Sequence, residues 1–379
     1  MSQWKIPLFD SDFGQEEIDA VIKVLQSRWL TMGEVTHQFE TQFCDFINVK
    51  HSFVVSNGTT ALHLANVALG VGNGDEVIVP SLTFVASVNS ILYTGATPIF
   101  ADIISEDDLT ISPDDIERKI TAKTQAILVV HYAGYPCHME AIMSLAKRYN
   151  LFVIEDAAHA PGAKLNEISC GAFGDCGCFS FYANKNLATG EGGMLITNRD
   201  DLAEKIKLLR CHGMTTMSLD RYKGHAYSYD VVELGYNYRV TEICSALGLV
   251  QLKKLAANNY RRKELVEYYT KKLADFETIK IPFKDHPGFS NYHIFPIILS
   301  PDHNRERFMK FLKDNGIQTS IHYPPAHRFT FHNKYFQSNH SLPVTEDIAK
   351  REVTLPLYPD LKFEDIDLIA DVIREFVNR

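Results

Sequence analysis

At 379 residues the chain is long enough for two domains, or one large and one small, with a core that needs no staples. Its 38 basic against 47 acidic side chains give a net charge of −9, which argues against a broad nucleic-acid-binding or anionic-membrane surface. No apolar run reaches the length of a bilayer span, and residues 1–9 lack the basic region and apolar core of a signal peptide, so a cytoplasmic protein is expected.

In chain order, Ile18, Val21, Ile22 and Leu25 recur at helical spacing and predict a helix over 15–27. A break at Trp29-Leu30-Thr31-Met32-Gly33 precedes a second helix over about 36–47. The strand Phe53-Val54-Val55 then runs into Ser56-Asn57-Gly58-Thr59-Thr60 and a helix to about Leu69. From there strands at about 76–80, 97–102, 126–130 and 152–155 alternate with helices at about 84–93, 114–120 and 139–149. Ser112 before Pro113 reads as a helix cap. This alternation predicts an α/β fold with a mostly parallel, doubly wound sheet, and the continuous apolar strands predict cover on both faces. An apolar, strand-like run from Cys178 ends in Lys185, and a glycine-rich turn, Thr189-Gly190-Glu191-Gly192-Gly193, follows. A helical stretch over about 241–273 exceeds ordinary globular length, so a bend or break is expected near 256–259. That break sets the predicted division: a large unit, 1–256, and a small α+β unit, 257–379. The small unit carries a strand at about 293–299, helices at about 304–315 and 363–377, and a His- and aromatic-rich loop over 322–332.

The seven cysteines (44, 137, 170, 176, 178, 211 and 244) are odd in number and scattered, which reads as reduced thiols. Cys176-Gly177-Cys178 lacks a second pair at zinc spacing, so no metal site is expected and both read as small core side chains.

Three strand ends carry chemistry. Ser56-Asn57-Gly58-Thr59-Thr60 opens a helix after a strand, where free N–H groups, hydroxyls and the helix dipole favour a phosphate; an ordinary capped turn would look the same. Asp156 closes the strand Phe152-Val153-Ile154-Glu155 and could pair with a protonated pyridine nitrogen, or simply cap a turn. Lys185 follows the aromatic-rich segment Phe179-Ser180-Phe181-Tyr182, where partial burial would ease loss of its proton; a surface lysine is the alternative. His159 could contact a ring and Phe84 could stack on one, although taken alone each reads first as a structural or core side chain. A lysine amine, an acid at a strand end and an anion-binding helix start are together what holds pyridoxal phosphate. No Gly-x-Gly-x-x-Gly or Walker motif supports a dinucleotide or nucleoside triphosphate.

These segments, with Thr189-Gly190-Glu191-Gly192-Gly193 and Gly235-Tyr236-Asn237-Tyr238-Arg239, resemble the sugar aminotransferases of the DegT/DnrJ/EryC1/StrS family, from about Ile6 to the C-terminus. The resemblance implies the type I fold of pyridoxal phosphate-dependent transferases: a large domain on a mostly parallel seven-stranded sheet and a smaller α+β C-terminal domain. It implies that Lys185 carries the cofactor as a Schiff base and that Asp156 faces the pyridine nitrogen. His159 would meet the ring hydroxyl and Phe84 would stack on the ring. Gly58, Thr59, Thr60 and Ser180 would hold the phosphate, with Tyr182 a further contact and Asn237 reaching in from the partner of a homodimer. Some members carry histidine in place of the lysine and run a dehydration; Lys185 favours transamination, from L-glutamate to a nucleotide-linked keto sugar, foremost an NDP-4-keto-6-deoxyhexose. A C3-keto sugar, a keto-cyclitol, or a non-catalytic regulatory role are the alternatives. On the substrate side the resemblance points to Trp29, Thr31, Tyr323 and His327, and Arg239 would hold a carboxylate or diphosphate. No nucleic-acid or membrane partner is implied.

Overall fold

The structure, a computed structural model, describes residues 4–215, 228–336 and 341–378. Two N-terminal helices, α1 (Gln15–Ser27) and α2 (Glu34–Ile47), lead into β1 (His51–Val55) and α3 (Gly58–Ala68). There follow β2 (Glu76–Pro80), α4 (Val85–Leu92), β3 (Thr97–Ala101), α5 (Pro113–Lys119), β4 (Thr124–Val130), α6 (Met139–Tyr149) and β5 (Phe152–Asp156). A small hairpin, β6 (Lys164–Leu165) and β7 (Ile168–Ser169), precedes β8 (Cys176–Ser180), β9 (Gly193–Thr197) and α7 (Asp200–Leu209). Strand order in the seven-stranded sheet is β1-β9-β8-β5-β4-β2-β3. Only β9 runs against its neighbours, pairing antiparallel with both β1 and β8.

The sheet is covered on both faces because its strands are apolar at successive positions, which point to opposite faces. Val77, Val79, Leu128 and Ile154 pack with α3, α4 and α7 on one side. Ile78, Ile127, Val129 and Val153 face α5 and α6 on the other, where Val54, Phe179, Met194 and Ile196 meet α2. Cys176 and Cys178 are buried in β8 as core side chains. β9 is absent from the elements the sequence predicts: it opens on Gly193, the last residue of the glycine-rich turn, so its apolar residues follow a turn signal without a boundary.

The long helix α8 (Glu242–Leu273) corrects another expectation. It runs for 32 residues without a break at 256–259. Its length is sustained because its two halves are buried by different partners. Leu252 and Leu255 pack with α2 and β8. Leu265, Val266, Tyr269 and Leu273 pack instead with β10 (Ile279–Lys280), β11 (Phe295–Leu299), α9 (Arg305–Asp314), β12 (Glu352–Leu355) and α12 (Phe363–Val377). Ile6 joins this second cluster and bridges to Ile317, so the N-terminal segment packs on the C-terminal half. Two short helices, α10 (Thr330–Phe336) and α11 (Pro343–Arg351), complete the chain. Among the described residues no helix is long and apolar enough to cross a membrane.

Candidate active site

The sheet register gathers the three strand ends. Val55 of β1 and Ser180 of β8 both pair with Gly193, and Asp156 of β5 pairs with Cys178. The turn after β1, the acid at the end of β5 and the lysine after β8 therefore share one edge of the sheet, beyond the carboxyl ends of parallel strands, where such folds bind ligands.

At that edge α3 begins with a fully formed cap. Asn57 Oδ1 accepts from the Thr60 amide at 2.9 Å, and the Thr60 hydroxyl donates to the Asn57 carbonyl at 2.8 Å. Gly58 is buried against Ser180: a Cβ at this position would lie 2.8 Å from Ser180 Cβ. The first N–H groups of α3, at Gly58 and Thr59, have no acceptor within the helix, and the Gly58 position lies against the Ser180 side chain. That donor set matches a phosphate.

Asp156 is 5% exposed. Its Oδ2 accepts from Ser87 Oγ at 2.7 Å and its Oδ1 from the Ala158 amide at 3.1 Å. Burial pushes its carboxyl above the usual range, while those two hydrogen bonds and the charges of Lys185 and His131 pull it back. Lys185 is partly buried in the turn that follows β8, its amide bonded to the Tyr182 carbonyl at 2.9 Å. Burial lowers its amine to about 8, against the opposing pull of Asp156. Its Nζ lies 3.4 Å from His293 Nε2.

His159 is buried, with Nε2 at 2.9 Å from the Tyr323 hydroxyl; its Nδ1 meets no hydrogen-bond partner among the described residues. Phe84 caps α4, is 57% exposed, and lies 5.9 Å from the Tyr323 ring, centroid to centroid. An apolar ring face, an unpartnered buried nitrogen, a buried carboxylate, a lysine that loses its proton readily and a phosphate cradle thus converge. Each matches one part of pyridoxal phosphate.

The remaining expected residues are placed less uniformly. Tyr182 is half exposed at the mouth. Asn237 is exposed, and its segment lies beside the cup through the bond from the Ser56 amide to the Tyr238 carbonyl, 3.0 Å. Arg239, two residues on, is half-buried. Trp29 and Thr31 lie on the α1–α2 connection, tied to the start of α8 by the Thr31–Thr241 bridge. His327 is not presented to the cleft: it is buried, with Nδ1 at 2.6 Å from Ser81 Oγ and Nε2 at 3.1 Å from Glu346. A His- and aromatic-rich loop reads alike whether its side chains are offered or packed.

Sequence reasoning assigned no role to Ser87, Asn186 or His293. Ser87 had a signal, lying three residues after Phe84 and so near it on a helix. His293 had none, since it reaches Lys185 across 108 positions of chain.

Comparison with known proteins agrees with this geometry. Residues 11–374 match the DegT/DnrJ/EryC1/StrS aminotransferase family. The chain is 40% identical to the GDP-perosamine synthase of Escherichia coli O157:H7, over 98% of each chain. It is 39% identical to the spore coat polysaccharide biosynthesis protein SpsC of Bacillus subtilis, over 96% of this chain and 95% of that one. The solved structure of Helicobacter pylori PseC, an aminotransferase involved in the biosynthesis of pseudoaminic acid, superposes with a TM-score of 0.91 at 30% identity, covering 98% of both chains. The chain belongs to the DegT/DnrJ/EryC1/StrS family of pyridoxal phosphate-dependent aminotransferases.

Proposed function

We propose that this protein transfers the amino group of L-glutamate to the ketone of a nucleotide-linked sugar, foremost an NDP-4-keto-6-deoxyhexose, giving the amino sugar. The observation that carries the reading is the Lys185 amine, lowered to about 8 by burial, on the sheet edge that also holds Asp156. Bound pyridoxal phosphate supplies an aldehyde for amines and an electron sink for the bond broken at carbon. In this proposal Gly58, Thr59, Thr60 and Ser180 hold its phosphate, Phe84 covers its ring, His159 Nδ1 meets its hydroxyl, Tyr182 lines the mouth and Asp156 keeps its nitrogen charged. Lys185 Nζ removes the proton from the donor's α-carbon. In the second half-reaction it delivers a proton to the sugar carbon that receives nitrogen. The two halves run in turn, so ping-pong kinetics follow.

The sugar-nucleotide part draws support from relatives whose names refer to GDP-perosamine and spore coat polysaccharide. Trp29, Thr31, Tyr323 and Arg239 are the residues assigned to substrate in this reading. Tyr323 has direct geometric support, through His159 and Phe84. The active unit in the proposal is a homodimer in which the partner subunit's Asn237 completes the phosphate site. Its support is the exposed apolar run that leads to that residue: Tyr229, Val231, Val232 and Leu234, each more than half exposed. The same reading divides the chain into a cofactor-binding unit, 1–256, and a small unit, 257–379. It also places the protein in the cytoplasm, where its seven free thiols stay reduced. The test is a panel of nucleotide-linked 4-keto and 3-keto sugars and keto-cyclitols, each incubated with L-glutamate, with 2-oxoglutarate measured. Fastest turnover of a 4-keto-6-deoxyhexose nucleotide is expected; preference for a 3-keto sugar or a cyclitol would overturn the substrate assignment.

A further inference from the structure

Beside the cofactor site runs a chain of buried amides whose hydrogen-bond direction is forced from one end. The Pro161 carbonyl can only accept, and it takes Asn259 Nδ2 at 3.0 Å. Asn259 therefore turns its Oδ1 toward Asn186 and accepts from Asn186 Nδ2 at 2.9 Å. The same Asn186 nitrogen donates to the Asn291 carbonyl at 2.8 Å, so both of its hydrogens are used by oxygen acceptors. What Asn186 offers to His293 Nδ1, 3.0 Å away, is its Oδ1. His293 must then carry its hydrogen on Nδ1 and present the lone pair of Nε2 to Lys185 Nζ.

We infer that His293 is a positioning residue for Lys185: its Nε2 accepts one N–H of the lysine and so aims the remaining lone pair of the neutral amine at the incoming carbonyl carbon. A free primary amine in a pocket can rotate about its last bond and waste its lone pair. An acceptor in fixed orientation removes that freedom, and orientation of the attacking group is a large part of what sites supply. The surroundings keep His293 an acceptor. The groups facing it are Lys185, His159, His322 and Arg262, and Arg262 also donates to the His293 carbonyl at 3.3 Å. Each of these opposes a second proton on the ring, and burial holds the imidazole well below its usual value. Asp156 acts on Lys185, and the Tyr323 hydroxyl lies 2.9 Å from His159 Nε2 with its ring against His322. The anchoring is also long in reach. Lys185 and Asn186 follow β8, Asn259 lies in the middle of α8 and His293 leads into β11. The orientation of one amine is thereby set by three separate parts of the chain.

This inference rests on Lys185 being the amine that takes the cofactor, so the experiment separates the two. The full-length protein is stripped of cofactor and recharged with pyridoxal phosphate across a pH series, following absorbance. The product is then reduced with borohydride and the modified peptide identified. Label on Lys185 in the wild type upholds the site; label elsewhere removes the site reading and this inference with it. With Lys185 labelled, the wild-type capture rate should rise with pH and level off above about 8. On that plateau His293→Leu should be about tenfold slower, whereas His293→Gln, which keeps an acceptor, should stay within about threefold of wild type. A His293→Leu plateau equal to wild type overturns the inference, and so does a His293→Gln as slow as His293→Leu. Nitrogen-15 NMR of histidine-labelled wild-type protein reads the tautomer without any variant. An unprotonated Nε2 on His293 is expected; a hydrogen there overturns the inference.

Discussion

At the scale of single residues the site is a balance of burial against charge. Lys185 and Asp156 are both removed from water, and each is moved by burial toward its neutral form and by the other back toward its charged form. With Asp156 neutralised as Asp156→Asn, a ring nitrogen would lose its counter-charge. Turnover should then fall by about two to three orders of magnitude, the usual size for a removed electrostatic partner. Steady-state kcat at saturating substrate checks this, and a near-normal rate would place Asp156 elsewhere than at that nitrogen. Lys185→Ala should abolish turnover while equilibrium dialysis still finds pyridoxal phosphate bound, because the phosphate cup and Phe84 remain. Turnover at the wild-type rate would disprove the role given to this lysine.

At the scale of elements, the tightest constraint lies where α3 meets β8. The Gly58 position has no room for a methyl group, since Ser180 Cβ would be 2.8 Å away. Gly58→Ala must therefore push the start of α3 off the strand. Affinity for pyridoxal phosphate should fall by about tenfold or more as the N–H groups lose their aim, with loss of overpacking size, about 1–3 kcal/mol, in stability. Fluorescence titration and thermal melting report the two effects, and an unchanged affinity would separate α3 from phosphate binding. This junction was legible in the chain because strand, turn and helix start are contiguous there, and Asp156 and Lys185 likewise sit where a strand runs into a turn. Contacts closed across long separations were not legible. Ser87 reaches Asp156 over 69 positions and His293 reaches Lys185 over 108; helical spacing puts Ser87 near Phe84, but no local pattern encodes its bond to Asp156 or the contact of His293. β9 and the continuity of α8 also escaped the sequence reading: β9 opens inside the glycine-rich turn at Gly193, and α8 is held by partners distant in the chain. His327 illustrates the opposite error, a reactive residue type put to use as a buried strut between Ser81 and Glu346.

At the scale of the whole molecule, the proposal that the partner subunit's Asn237 completes the phosphate site makes a prediction about mixtures. Homodimers of Lys185→Ala and of Asn237→Ala each carry two damaged sites. A mixed dimer with the contact made across the interface would carry one doubly damaged site and one intact site. Co-expressed and separately tagged subunits should therefore recover up to half of the wild-type activity per dimer. If Asn237→Ala alone is impaired and the purified mixed dimer recovers nothing, the contact is not shared.

The single helix α8 gives these scales a common mechanical element. Its N-terminal half is clamped in one apolar cluster and its C-terminal half in another, and Asn259, near its middle, anchors the amide chain that leads to Lys185. A rod of about 48 Å at the helical rise cannot fold back on itself without breaking its own hydrogen bonds. Loosening of the grip at either end would disturb the middle of the rod, where Asn259 holds the amide chain that leads to Lys185. Catalytic competence in such a molecule should vanish ahead of bulk melting, as a clock stops when its arbor bends while the case is still intact.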